Sequence, residues 1–145
     1  MKIKAIAITI LMLPIILPFS ARGMTIEELP SHQTSKQWSV TIHEADKNGP
    51  NIRYSKMEPY HTYSMVIKNI GKNTPYVRVQ AFRNELNSRT MFGLFAPVEP
   101  VQLQKRGKSF QFANFPVKDQ ATQIEIVITW KVKGSKKELK ETFSF

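Results

Sequence analysis

The sequence contains no cysteine, and acidic residues are scarce in it. Its 145 residues include 21 Lys and Arg against 11 Asp and Glu, which gives a formal net charge of +10 at pH 7. Because there is no cysteine, disulfide bonds are excluded and the fold must be stable on its hydrophobic core alone. The excess of positive charge favours anionic neighbours, such as polymers of the cell envelope or acidic protein surfaces.

Motifs for catalysis and for cofactor binding are also missing. The three histidines, His32, His43 and His61, are not accompanied by a nucleophile and an orienting acid at a recognisable spacing. There is no glycine-rich phosphate loop and no carboxylate cluster suited to calcium. The lysines and arginines form no stripe typical of nucleic-acid binding. We therefore expect a non-enzymatic protein without a cofactor and without a nucleic-acid partner.

One group of side chains has the chemistry of a copper site. Met57, His61 and Met65 are spaced four residues apart, and such side chains bind copper in some proteins. However, Met65 fits the alternation of a strand, and a spacing of four does not place side chains on one face across a turn at Pro59. We expect no metal site here.

Residues 1–23 have the pattern of a secretory signal peptide. Lys2 and Lys4 precede an apolar run over residues 5–19, and residues 21–23 read Ala-Arg-Gly. We expect export to the periplasm or the exterior, with cleavage before Met24. The alternative is an uncleaved N-terminal anchor, but the apolar run of about 15 residues is shorter than the roughly 20 that span a bilayer. We expect no membrane span after cleavage.

The remaining chain is long enough for one domain. Residues 24–37 are polar and aperiodic, which predicts a flexible leader, and residues 38–145 are predicted to form the domain. The signal peptide holds three of the 21 basic residues and none of the 11 acids, so the predicted mature chain carries 18 minus 11, or +7. It therefore remains basic after cleavage.

Apolar residues in the domain alternate with polar ones, and no long segment has the period of a helix. The alternation predicts strands over residues 38–44, 62–69, 76–82, 109–115, 122–132 and 138–145, with further extended segments over 51–56, 91–96 and 101–104. We expect 62–69 to pair with 76–82, 101–104 with 109–115, and 122–132 with 138–145 around the turn at Gly134. Seven or eight short antiparallel strands at this spacing predict an all-β, immunoglobulin-like β-sandwich.

Two details of this pattern lead to specific expectations. Val127 breaks the alternation of its strand, which indicates that part of the outer sheet face is covered. Residues 91–96 (MFGLFA) are unexpectedly apolar. They form either an exposed contact site or a short edge strand packed on the sandwich, and we favour the edge strand.

The stretch from Asn51 to Val132 resembles the N-terminal immunoglobulin-like domain of the periplasmic chaperones of the chaperone-usher pilus pathway. The matching pieces are NIRYS, then YSMVIKNIGKNTPYVRVQAF, then FAPVEPVQLQKRGKSFQF and FPVKDQATQIEIVITWKV, in that order. The resemblance implies a protein-binding domain that lends its last strand to an incomplete pilin-like subunit. It implies that Arg53, with Lys140 as a second cation, holds the partner's terminal carboxylate, and that Leu139, Phe143 and Phe145 fill the partner's groove.

The chain also departs from that family. It has one such domain where the chaperones have two, it carries Glu141 where a donor strand needs an apolar residue, and it adds the strand at 38–44. The alternative is therefore a generic exported immunoglobulin-like module with its last strand paired in its own sheet. Such a module would contact an envelope component or a partner protein through Tyr76, Arg78, Lys131 and Lys133.

Overall fold

The protein folds into two four-stranded antiparallel sheets. The computed structural model describes Ile26, residues 28–49 and residues 60–145. The strands are β1 (Ser31–Thr34), β2 (Trp38–Glu44), β3 (Tyr60–Asn69), β4 (Tyr76–Glu85), β5 (Met91–Gly93), β6 (Ser109–Lys118), β7 (Ala121–Lys131) and β8 (Glu138–Ser144). A 3₁₀ turn spans Val101–Gln104. No helix in these ranges is long and apolar enough to cross a membrane.

The strand order gives a β-sandwich, as the sequence predicts. One sheet has the order β1-β2-β3-β6 and the other has the order β5-β4-β7-β8. The sheet that contains β2, β3 and β6 thus packs against the sheet that contains β4, β7 and β8. An immunoglobulin-like sandwich divides its strands in the same way, with A, B and E in one sheet and C, F and G in the other. The first strand, β1, is added outside β2, with which it pairs in antiparallel register.

The core lies between the two sheets and consists of the inward residues of alternating strands. Trp38 and Trp130 pack edge to face between the sheets near the ends of their strands, with their ring centroids 5.7 Å apart. Besides Trp38, the fully buried large side chains of the described residues are Val40, Ile42, Met65, Ile67, Val77, Val79, Leu103, Val117, Ile124, Ile126 and Ile128. This apolar core holds the fold together without disulfides, as the absence of cysteine requires.

The closing hairpin and two finer expectations are confirmed. Strand β7 pairs with β8 in antiparallel register, with Ile126 opposite Phe143. Val127 is buried although it points outward, at 7% exposure, so the outer face of this sheet is partly covered. Residues Met91–Gly93 form a short edge strand paired with β4, and Leu94 and Phe95 pack against the core.

Two predicted strand pairings are wrong. Strands β3 and β4 do not pair with each other, because β3 lies between β2 and β6 while β4 lies between β5 and β7. Residues Val101–Gln104 form a 3₁₀ turn in which only Leu103 is buried. Alternation shows which residues point inward but not which sheet a strand joins, and a short loop crosses between packed sheets as readily as it closes a hairpin.

The predicted flexible leader also requires correction. Residues Ser31–Thr34, inside that segment, form β1, and the Gln33 side-chain amide donates a hydrogen bond to the Ser144 carbonyl of β8. This contact ties the first and last strands together across the sandwich. The predicted signal peptide and the extended segment at 51–56 lie outside the described residues.

Candidate functional site

The apolar residues predicted to bind a partner are used by the protein's own core. Phe143 is 5% exposed, and Leu139 and Phe145 pack against the core cluster. The Phe145 backbone N–H and C=O both bond Ile124 at 2.9 Å, so the last residue continues the ladder of its own sheet. Lys140 is exposed opposite Thr129, away from these three side chains. Arg53 lies outside the described residues.

The proposed soft-ligand group is not assembled by the part of the chain that the structure describes. Met65 is fully buried, whereas His61 is exposed and lies with Nε2 3.1 Å from Oδ1 of Asp119. Met57 lies outside the described residues. No three His, Asp or Glu side chains in the described ranges are grouped as metal ligands.

The largest concentration of unpaired charge lies at one end of the sandwich. Four loops meet there, at residues 35–37, 70–75, 101–108 and 132–137, because the strand ends that they join are in register. We call these four loops the basic end. Together they carry eight cations and no Asp or Glu: Lys36, Lys72, Lys105, Arg106, Lys108, Lys133, Lys136 and Lys137.

The opposite end of the sandwich carries no excess of positive charge where the structure describes it, and Glu28, just before β1, adds an acid to those of its loops. Loops 45–49, 86–90 and 119–120 carry two cations, Lys47 and Arg89, and two acids, Asp46 and Asp119. The positive charge of the described domain is therefore concentrated at one end rather than spread over its surface. Such a concentration produces a local positive potential that attracts polyanions.

Three of the eight cations line one groove. This groove, of about 550 Å³, is bordered by Lys36 and Gln37 from the first loop, residues 70–73 from the second, and Arg106 from the third. No carboxylate lines the groove. Lys36, Lys72 and Arg106 form no ion pair with any described residue. We call this feature the cationic groove.

A buried polar framework beneath the groove holds its three loops together. Asn69 is fully buried at the end of β3. Its side-chain NH2 donates to the carbonyls of Lys72 and Leu103 at 3.0 and 2.9 Å, and its Oδ1 accepts from Gly71 N–H and from the Gln37 amide at 3.0 and 2.8 Å. One side chain therefore joins the first and second loops to the 3₁₀ turn. Its donors and acceptor are all satisfied, which keeps the framework rigid.

Gln37 and Gly71 complete the framework. The Gln37 side chain donates to the Lys72 carbonyl at 2.7 Å and accepts from Lys72 N–H at 3.1 Å, while its own carbonyl accepts from Ile70 and Gly71. A Cβ at position 71 would lie 2.9 Å from the Gln37 Cα, so this close backbone approach requires glycine. Asn73 Oδ1 accepts from Arg106 N–H at 2.8 Å, which links the second and third loops.

The cluster around Tyr76 lies beside this end, on the outer face of β4 and β7. Arg78 donates to Glu99 through Nε and Nη2 at 3.2 and 3.0 Å, and the Tyr76 hydroxyl donates to the same oxygen at 3.0 Å. The hydrogen bond from Arg78, followed by that from Tyr76, holds the pKa of the Glu99 carboxyl below its ordinary value.

Lys131 completes this cluster, with Nζ 5.3 Å from the centre of the Tyr76 ring and 3.6 Å from Glu138. Two of the predicted contact cations, Arg78 and Lys131, are therefore already paired with carboxylates, while Lys133 belongs to the basic end. The sequence shows the lysines of each turn. It does not show that four turns separated by long stretches of chain meet, so the cationic groove was not predicted.

Comparisons with known proteins place the chain in a family. The YozF protein of Bacillus subtilis (strain 168) is 36% identical over 138 residues, covering 86% of this chain and 83% of its own length. The family described as YozF-like secreted protein matches residues 22–145. No solved structure matches.

These findings overturn the resemblance to the pilus chaperones. The family match covers nearly the whole predicted mature chain, and the comparisons bring no relative from the chaperone-usher pathway. The chain belongs to the YozF-like secreted protein family.

Proposed function

We propose that this secreted protein is a non-enzymatic binding module whose basic end holds an anionic component of the cell envelope. The observation that carries the proposal is the set of four loops with eight cations and no acid. A polyanion that contacts several of these side chains releases counterions, so its affinity rises steeply as salt is lowered. A binding module that does not donate its last strand also agrees with the position of β8, which is paired within its own sheet.

The framework beneath the loops supports the same proposal. Long lysine and arginine side chains normally lose conformational freedom when they bind, and mobile loops add to this loss. Here Asn69 and Gln37 fix the backbone of the first two loops, from which Lys36 and Lys72 extend, and Asn73 holds the backbone N–H of Arg106. Binding of a ligand therefore restricts the side chains but not the loops, which are already fixed. Because less conformational entropy is lost, a larger part of the electrostatic attraction contributes to the binding free energy.

Sedimentation with purified cell-wall fragments tests this proposal. We compare the wild type with a K136Q/K137Q variant over a range of NaCl concentrations. Two exposed charge contacts of about 0.5 kcal/mol each correspond to roughly fivefold weaker binding. The wild type is also expected to dissociate as salt rises, since exposed charges are screened.

The matched control removes two cations from the opposite end. A K47Q/R89Q variant loses the same charge, and it should bind the fragments nearly as well as the wild type. Equal weakening of the two variants would show that net charge rather than the basic end determines binding. Binding of the wild type that does not change with salt would contradict an electrostatic role altogether.

A further inference from the structure

We infer that the cationic groove is a binding site for the phosphoryl groups of a phosphodiester polymer. The inference rests on the proposed function and specifies its ligand chemistry. Lys36, Lys72 and Arg106 reach the groove from three different loops, and no carboxylate competes for them there. The groove thus presents three positive charges around one concavity.

The number and arrangement of these cations favour phosphate over carboxylate. A carboxylate is planar and has two oxygens in one plane, so a single guanidinium fork satisfies it. A phosphoryl group is tetrahedral and offers acceptor oxygens in several directions. Cations supplied by three separate loops suit the second shape. The site therefore distinguishes a phosphoryl group from a carboxylate by the placement of its donors on separate loops.

Asn73 adds a neutral donor to the same groove. Its Oδ1 is held by Arg106 N–H at 2.8 Å, which fixes the orientation of the amide. Asn73 is one of the lining residues of the groove, and its NH2 group forms no hydrogen bond with any described residue. An amide donor beside three cations supplies a hydrogen bond to a phosphoryl oxygen without adding charge.

The backbone around the groove indicates how an anion is held. The N–H groups of Ile70, Gly71 and Lys72 are bonded to Gln37 and Asn69. The N–H groups of Arg106 and Gly107 are likewise bonded, to Asn73 and Asn69. These five backbone N–H groups are therefore occupied, which leaves the side chains of Lys36, Lys72, Arg106 and Asn73 as the main donors of the groove. Such a site binds a single free phosphate weakly and gains its affinity from repeated phosphates along a chain.

The size and lining of the groove favour a polymer in solution over a lipid headgroup at a membrane. Its volume of about 550 Å³ exceeds the space that one phosphate fills, which leaves room for the linker atoms on either side. Ile70 is the one apolar side chain of its lining. Membrane-binding surfaces combine their cations with large apolar side chains that enter the bilayer, and the groove has no such set.

Competition between polymers of different chemistry tests the inference. We measure the affinity of the full secreted domain for poly(glycerol phosphate) and for polyglutamate of equal charge number at the same ionic strength. The wild type is expected to prefer the phosphodiester polymer. A K36Q/K72Q/R106Q variant should lose about tenfold in affinity for this polymer, as three exposed charge contacts imply, and should lose the preference.

A second triple variant provides the matched control. K133Q/K136Q/K137Q removes the same charge from the same end but outside the groove, and it should weaken both polymers while the preference remains. R106K keeps all three charges but removes the fork, so it should lower the affinity for both polymers slightly while the preference for the phosphodiester polymer remains. Amide resonances of residues 36–37, 70–73 and 106 should shift on titration with the phosphodiester polymer.

The possible outcomes separate the site from the proposed function. Equal loss for both polymers in both triple variants would overturn the phosphoryl site and leave the basic end as a general polyanion surface. Failure of the wild type to bind either polymer would overturn both. Stronger binding to phosphatidylglycerol vesicles than to the polymer would assign the phosphate chemistry to lipid and overturn the polymer assignment. Thermal melting of each variant verifies that the fold is retained.

Discussion

Glu141 is a polar residue on the apolar face of β8. It lies between Leu139 and Phe143 on that face, opposite the buried Ile128. Its Oε2 is inaccessible to solvent and has no hydrogen-bond partner among the described residues. A buried oxygen without a partner costs free energy, because it loses its hydration and gains nothing in return.

Replacing Glu141 by Leu should therefore stabilise the protein. We expect a gain of about 1 kcal/mol in the free energy of unfolding, since the unsatisfied oxygen is removed and apolar area is buried. Thermal denaturation followed by circular dichroism measures the change. The control is Glu138→Leu, which alters an exposed residue of the same strand and should change the melting temperature little. A lower melting temperature for Glu141→Leu would mean that the carboxylate has a stabilising partner.

Gly71 occupies a position where a side chain does not fit. A Cβ there would lie 2.4 Å from the Gln37 Oε1 and 2.9 Å from the Gln37 Cα. The flexible oxygen can move, but the Cα cannot move without displacing the loop. Gly71→Ala should cost about 1–3 kcal/mol in stability, as overpacking usually does.

The same substitution should disturb the cationic groove, because Gln37 and Lys72 are bonded across position 71. The measurements are chemical denaturation and the affinity for poly(glycerol phosphate). Gly93→Ala serves as the control, since the nearest heavy atom to its Cβ would be 3.9 Å away. If Gly71→Ala were as stable as Gly93→Ala, the close approach of the two loops would be contradicted.

At the scale of the element, β8 stabilises its own sandwich. Phe143 is 5% exposed and pairs with Ile126, and the ladder continues to Phe145. Phe143→Ala should cost about 3 kcal/mol by leaving a cavity in the core. Lys140→Ala, on the exposed face of the same strand, should stay within about 0.5 kcal/mol of the wild type.

Deletion of residues 139–145 extends this prediction to the whole element. Ile124, Ile126 and Ile128 of β7 would lose their cross-strand neighbours in β8, so the truncated chain should fail to show a cooperative melting transition. A truncated protein that still melts cooperatively near the wild-type temperature would show that β8 is dispensable to the fold.

The strands differ in how well their sequences predict them. Strand β2 alternates clearly, because one face contacts the core and the other contacts solvent, while the alternation of β7 is broken at Val127 and that of β8 at Glu141. Strand β1 reads Ser-His-Gln-Thr and has no apolar residue, so no periodicity marks it. It forms because the edge of β2 offers unpaired backbone N–H and C=O groups, and backbone hydrogen bonding does not depend on the polarity of the side chains.

At the scale of the whole molecule, the charge is distributed unevenly. Eight cations without a carboxylate repel one another at the basic end, whereas the described part of the opposite end carries no excess of positive charge. Self-repulsion of this kind destabilises a folded protein, and salt screens it.

Raising NaCl from about 0.05 to 0.5 M should therefore increase the melting temperature, because the Debye length falls from more than 10 Å to a few ångströms. The K136Q/K137Q variant should show a smaller increase than the wild type, and the K47Q/R89Q variant should behave like the wild type. Differential scanning calorimetry measures all three proteins. Identical salt dependence in the three would contradict the assignment of the repulsion to this end.

The candidate site was only partly accessible from the sequence. The excess of basic residues and the absence of catalytic motifs are properties of composition, and they favour an anion-binding module over an enzyme. The cationic groove depends on Lys36, Lys72 and Arg106, which lie far apart in the chain and meet because β2, β3 and β6 are neighbours. Asn69 holds these loops together, but nothing in the sequence distinguishes it from any other polar residue at the end of a strand.

The sequence by itself determined that the protein is all-β, that it depends on an apolar core without disulfides, and which face of most strands is buried. Alternation and composition are local properties, so one chain is enough to read them. The tertiary structure alone decided that β3 and β4 lie in different sheets, that β8 completes its own sandwich, and that four basic turns meet at one end. These features follow from contacts between distant parts of the chain, whose free energies depend on the whole packed arrangement rather than on any local pattern.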